Sequence, residues 1–326
     1  MKKVLSLVLA ATLSMSLLAG CGSKSSGEGS TGSADGYPSK AVTTIVPFSA
    51  GGGTDTVTRA LVDAAKESFP KNISVENREG AGGATGMLYG ANAAKDGSVL
   101  TTITVELTTL EHMGTGAGLT YDKFEPIIMV NSAPSAITVP ADSPFNTLED
   151  LLKAAKTEDI QIGNSGVGAI WHLAAAGLGK EAGVEFSHIP YDGAAGAITD
   201  LLGGNIDAVS VSYAEVASQV EAGALKVLAV MSEERLDAIP DVPTAKELGY
   251  NCVIGTWRGL GVPVGTDKAI VDKLYEIFSK AAESTAFVDF MNNSNNAIEI
   301  LGPDEFKSRI ADNNELFKGL IADLGL

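Results

Sequence analysis

From Ala41 onward the chain alternates short β-rich runs with stretches of helical apolar spacing. Ala41 to Val46 is a β-rich run. Behind it Val57, Leu61, Ala64 and Ala65 recur on one helix face, with Thr54 and Asp55 as the capping start and Pro70 beyond the end. The same unit recurs: Ile73 to Glu76, a glycine-rich turn, a helix over about Thr85 to Ala94, then a strand at Val99 to Val105. Ile160 to Gly163 leads through a second glycine-rich turn into a helix around Ile170 to Leu178. Phe186 to Tyr191, a helix near Ala194 to Leu202, Ile206 to Ser212, a helix near Tyr213 to Ala222 and Leu225 to Met231 continue the alternation. The tail carries two or three helices, Asp267 to Glu283 the longest, a strand at Ile298 to Leu301 and a last helix from Pro303. Such alternation predicts an α/β fold of parallel-rich sheets flanked by helices, with ligands at the carboxyl ends of the strands.

The first 36 residues follow neither period. Lys2 and Lys3 precede an apolar run from Val4 to Leu18, too short to span a bilayer comfortably, which ends in Leu18-Ala19-Gly20-Cys21. This is the layout of a bacterial secretory leader, residues 1–20. The last four residues resemble a lipoprotein signal-peptidase box, which makes Cys21 the lipidated mature N-terminus. Residues 21–36 are rich in Gly and Ser and read as a flexible tether, whose root-mean-square reach is roughly 20 to 25 Å. With Cys21 lipidated, Cys252 is the other of two cysteines, so no disulfide and no cysteine metal site is expected; Cys252 reads as a small core hydrophobe.

The formal charge of -17, or -19 once Lys2 and Lys3 leave with the leader, argues against a nucleic-acid partner, which needs clustered Lys and Arg. It does not argue against a small anion, because most of these charges lie beyond a Debye length of about 8 Å from any one cleft.

Few enzyme signatures survive inspection. No G-x-x-x-x-G-K-S/T phosphate loop occurs, Gly80-Ala81-Gly82-Gly83-Ala84-Thr85-Gly86 is one residue too long for a dinucleotide fingerprint, and Gly163-Asn164-Ser165-Gly166-Val167 breaks a nucleophile elbow at its last position. His112, His172 and His188 lack metal-ligand spacing. No catalytic residue, metal or cofactor is therefore expected. Two glycine-rich loops that each open a helix remain: Phe48 to Asp55 and Gly163 to Gly168. Such loops let the backbone approach a ligand and aim unpaired first-turn N–H groups at an anion. The alternative is that both are plain strand-to-helix turns.

Val46-Pro47-Phe48-Ser49-Ala50-Gly51-Gly52-Gly53-Thr54-Asp55 and Val75-Glu76-Asn77-Arg78-Glu79-Gly80-Ala81-Gly82-Gly83 resemble the opening of the solute receptors of tripartite tricarboxylate transporters, the Bug-type receptors. The likeness continues in order through Asp96-Gly97, Tyr121-Asp122, Ser165-Gly166-Val167-Gly168 with His172, His188-Ile189-Pro190-Tyr191, Asp200 to Asp207, Pro240 to Thr244 and Trp257 to Pro263. The resemblance implies a two-lobed, type II periplasmic-binding-protein-like fold. Lobe one comprises residues 38–132 and 258–326, lobe two residues 133–257, each a mixed sheet flanked by helices, with two crossing strands as hinge. It further implies a monomer outside the cytoplasm, held to the membrane through lipid on Cys21, which closes on a small carboxylate and hands it to integral-membrane permease subunits.

Carried over onto this sequence, the first loop contributes Phe48, Ser49, Gly51, Gly52, Thr54 and Asp55. The second contributes Ser165, Gly166, Gly168 and His172, with Tyr191, Asp192 and Gly193 on the next turn. Asp55 reads as a helix cap or water-holder, and for His172, two turns into its helix, core packing and ligand contact both stay open. Asp192 and Glu106 depart from the resemblance, which carries neutral or basic groups there. They are either solvated rim charges or partners for an amine or hydroxyl on an amino acid or hydroxy acid. Two readings outside transport remain: a secreted α/β hydrolase or transferase using Ser165, His172 and an acid, and a sensory receptor of the same fold.

Overall fold

The computed structural model describes residues 36–48, 50–191 and 193–326. Among the described residues ten strands form one continuous sheet. β1 (Val42–Val46), β2 (Ile73–Asn77) and β3 (Val99–Thr104) are parallel. β9 (Gly255–Pro263) lies antiparallel to β3, and β4 (Phe124–Pro140) lies antiparallel to β9, with β10 (Ala297–Leu301) on its outer edge. The far half of β4 then joins a second group. It pairs antiparallel with β8 (Leu225–Val230) on one side and β7 (Ala208–Ser212) on the other, and β7 runs parallel to β5 (Gln161–Asn164), which runs parallel to β6 (Ser187–Pro190).

Most elements stand where the apolar periodicity puts them. α1 (Gly53–Ala65), α2 (Ala84–Ala91), α4 (Ile170–Ala182), α5 (Ala194–Leu202), α6 (Tyr213–Glu221), α7 (Lys268–Ala282) and α9 (Pro303–Leu324) match expected helices. α3 (Leu148–Ala154) follows β4 and α8 (Thr285–Asn293) follows α7. α3 opens on a reciprocal cap in which Asp150 N–H donates to Thr147 Oγ1 at 3.1 Å and Thr147 N–H to Asp150 Oδ2 at 3.0 Å. α1 begins one residue before the expected cap. Gly52, in extended backbone, is its N-cap, so Thr54 and Asp55 fall inside the first turn.

The alternation pattern misses β4 and β9 for physical reasons. β4 carries prolines at positions 126 and 134, which would break a ladder in mid-sheet, but Pro134 sits where the strand passes from one pairing group to the other. β9 contains Gly255, Gly259 and Gly261, which weaken any strand reading, yet close packing demands two of them. A Cβ on Gly259 would lie 2.4 Å from the Ile128 carbonyl oxygen, and one on Gly255 2.5 Å from that of Ala133.

One apolar cluster packs α1, α7 and α8 onto the first strand group through Val57, Leu61, Leu274, Phe278 and Phe287. Another runs from α2 and α9 to α4 and the second group through Met87, Leu107, Phe306, Phe317, Leu173 and Leu178. At roughly 1.5 to 3 kcal/mol per fully buried large side chain, these clusters dominate the favourable side of folding. Cys252 is buried at 2% exposure and free, and burial pushes its thiol pKa up to about 12, as expected of a packing residue.

Candidate functional site at the strand crossing

The register of β4 and β9 brings the loops together. Thr104, the last residue of β3, stands opposite Arg258 of β9, and Arg258 stands opposite Asn131 of β4. Ser212, the last residue of β7, stands opposite Ser135, four residues further along β4. Because β3 runs with β4 and β7 runs against it, the two parallel groups point their carboxyl ends at each other, roughly 13 Å apart along the strand. The loops after β1, β2, β3, β5, β6 and β7 all open on this crossing, as open α/β sheets place their ligands.

In the first loop Gly51, at φ +82°, turns the chain so that its N–H donates to Asp55 Oδ2 at 2.8 Å. Arg59 Nε donates to both Asp55 oxygens at 2.9 and 3.0 Å, and Asn77 Nδ2 donates to Asp55 Oδ1 at 2.8 Å and to the Phe48 carbonyl at 2.9 Å. Burial alone would raise the Asp55 pKa, but the bonds from Arg59, Gly51 and Asn77 outweigh it and hold the group below the usual carboxylate range. Asp55, 2% exposed, is thus fully engaged by the protein and braces the loop between the ends of β1 and β2. Gly51 and Gly52 are exposed, Thr54 and Phe48 half-buried, and the N–H groups of the first turn have no intrahelical acceptor.

In the second loop Asn164 Oδ1 accepts the Gly166 N–H at 3.0 Å, and Gly166 and Gly168 take φ of +125° and +73°. The Gly168 N–H donates to His172 Nδ1 at 2.9 Å. His172 lies in the first turn of α4, not two turns in, and is 7% exposed with its ring edge-on to His188 at 4.6 Å. Burial lowers its pKa. The ring nitrogen that a Ser165-His172 pair would need is held by the backbone, which favours loop bracing over proton transfer. Ser165 and Gly166 are half-buried at the loop surface and Gly168 is buried. The Tyr191 hydroxyl donates to Asp200 Oδ2 at 2.7 Å, and burial with that carboxylate raises its pKa to about 12, while Gly193 caps α5 at φ +100°. Ser49, Asp192, Cys21, the leader and nearly all of the tether lie outside the described residues.

Sequence reasoning passed over Arg258, although a lone charge inside an otherwise neutral strand was a visible signal. Its Nε donates to Thr54 Oγ1 at 3.1 Å and its Nη1 to Asn131 Oδ1, which ties the start of α1 to the crossing. Burial lowers its pKa, and the charges of Glu106 and Glu215 oppose that shift. Among the described residues no group of three or more His, Cys, Asp or Glu side chains is placed to hold a metal ion.

The model of the tripartite tricarboxylate transporter family receptor matches residues 57–326. The chain belongs to that receptor family. The receptor is similar to a TctC solute-binding protein from Polaromonas, solved without ligand, at 41% identity and a TM-score of 0.84 over 88% of this chain and 99% of that one. It is also similar to the periplasmic binding protein BugD, at 32% identity and a TM-score of 0.69 over 89% and 99% of the two chains. A UPF0065 protein from the tcbD-tcbE intergenic region of Pseudomonas sp. strain P51 is 32% identical over 286 residues, 84% of each chain. The expected mixed α/β binding-protein fold is therefore the observed one.

Proposed function

We propose that this receptor is a lipid-anchored extracytoplasmic protein that captures a small carboxylate at the β4/β9 crossing and presents it to a membrane permease. The observation that carries this reading is the convergence of two glycine-rich helix starts, α1 and α4, with the Arg258 guanidinium at a single crossing. Unpaired N–H groups and a fixed cation together supply charge-assisted hydrogen bonds to a carboxylate, each shorter and roughly twice as strong as a neutral one. Phe48, Ser49, Gly51, Gly52, Thr54, Ser165, Gly166, Asp192 and Gly193 form the contact surface in this reading, and Asp55, Gly168, His172 and Tyr191 shape it.

Residues 38–132 with 258–326 act as one lobe and 133–257 as the other, and β4 and β9 are the hinge. Ligand bridging the two loops favours the closed arrangement, which the permease recognises. Lipid on Cys21 and the tether keep the body beside the membrane. Micromolar affinity requires roughly 8 kcal/mol, more than two helix dipoles provide, so hydrogen bonds and Arg258 contribute the remainder. The test is calorimetry of unrefolded protein with a panel of small carboxylates, alongside small-angle scattering. Saturable binding with a smaller radius of gyration in the bound state is expected; a tight ligand that leaves the radius unchanged sinks the closure step.

A further inference from the structure

The charges at the crossing are of both signs and are individually held in place. Arg258 spends Nε on Thr54 and Nη1 on Asn131, and its Nη2 has no protein acceptor among the described residues. That Nη2 lies 3.4 Å from where a Cβ on Gly53 would stand, so it reaches the first glycine-rich loop at the start of α1. On one side Glu106 follows the end of β3, half-buried, with Oε2 accepting from the Thr104 hydroxyl. On the other, Glu215 in the first turn of α6 is exposed and accepts through Oε2 from the Ser212 N–H at 2.9 Å and the Ser212 hydroxyl at 2.8 Å, as the cap of its own helix. Each carboxylate keeps Oε1 without a protein donor among the described residues. Glu106 lies two residues past Thr104, which stands opposite Arg258 in the sheet.

We propose that Arg258 and Glu106 make the crossing a bipolar subsite that selects a ligand carrying both a carboxylate and an amine, such as an α-amino acid, over the amine-free acid of the same length. This rests on the receptor reading above and narrows it. Formally the two side chains cancel. An amine-free dicarboxylate adds two negative charges in a site where water is displaced, one of them against Glu106, and like charges drawn together at low dielectric repel strongly. A ligand with one carboxylate and one ammonium adds none. Its carboxylate takes Arg258 Nη2 and the α1 N–H groups, and its ammonium takes Glu106 Oε1, so both charged side chains gain a partner.

Matched pairs that differ only in the amine isolate this subsite: L-aspartate against succinate, L-glutamate against glutarate, and L-alanine against propionate. They are titrated calorimetrically into the full chain in detergent. At least one amino acid is expected to bind about tenfold or more tighter than its amine-free partner. Glu106→Gln is expected to shrink that ratio to about threefold or less, and Arg258→Gln to weaken both members of the pair by about tenfold or more, with Arg258→Lys recovering part of the loss. Circular dichroism melting checks that each variant is folded. An amine-free acid that binds as tightly as its amino partner, or a ratio unchanged in Glu106→Gln, overturns the bipolar subsite and leaves the receptor reading standing. If the folded wild type binds none of the compounds, the receptor reading falls and the subsite with it.

Discussion

Asp55 shows how a buried carboxylate can brace a glycine-rich loop from within the protein. Its position in the sequence, after three glycines at a helix start, is compatible with capping, water-holding or direct contact. The fold decides by supplying Arg59 one turn later and Asn77 from the end of β2. Asp55→Ala removes the acceptor for Gly51 and leaves Arg59 and Asn77 short of partners, so a loss of about 2 to 3 kcal/mol is expected in urea unfolding. Ligand affinity should drop as well, because the loop is no longer braced; Asp55→Asn, which keeps the shape, should lose less. Arg258 is the converse case. It is conspicuous in the sequence only as an isolated charge in β9, and it matters because register places it between Thr104 and Asn131.

Helices and strands were legible to the extent that they follow a period. α1 and α4 to α7 show apolar spacing and turn signals, and they form where expected. β4 and β9 do not, because their prolines and glycines answer to neighbours that the sequence does not place. Glycines make the same point in helices and give a paired prediction. A Cβ on Gly86 in α2 would stand 2.5 Å from the Arg78 carbonyl oxygen and 2.7 Å from Pro47 Cα, both backbone, whereas one on Gly319 in α9 meets nothing within 4 Å. Gly86→Ala should destabilise by about 2 kcal/mol or more, since α2 must move off the ends of β1 and β2. Gly319→Ala, on the exposed side of α9, should stabilise by about 0.5 to 1 kcal/mol. Thermal melts of the two variants side by side check both signs; equal shifts would contradict the packing described.

At the scale of the whole molecule, the histidine pair under the second loop links stability to pH. His188 is pushed down to about 4 by burial and by the neighbouring charge of His172, and His172 is lowered by burial. A base whose folded pKa lies below its unfolded value of about 6.5 gives up stability as pH falls through that interval, because the unfolded chain takes up the proton first. Stability should be flat above pH 7 and decline on the order of 2 kcal/mol between pH 6.5 and 4, with Asp55 adding its loss only at still lower pH. Urea unfolding across that range checks the slope, and His188→Gln should flatten it. The sequence alone determined the α/β class, the order of most elements, the two glycine-rich helix starts and the receptor resemblance, because these depend on local period and local backbone freedom. Tertiary structure alone decided that β4 serves both strand groups, that the carboxyl ends of those groups face each other, and that Arg258 stands between Thr104 and Asn131. Register and long-range charge depend on which distant strands pair, and no local spacing encodes that.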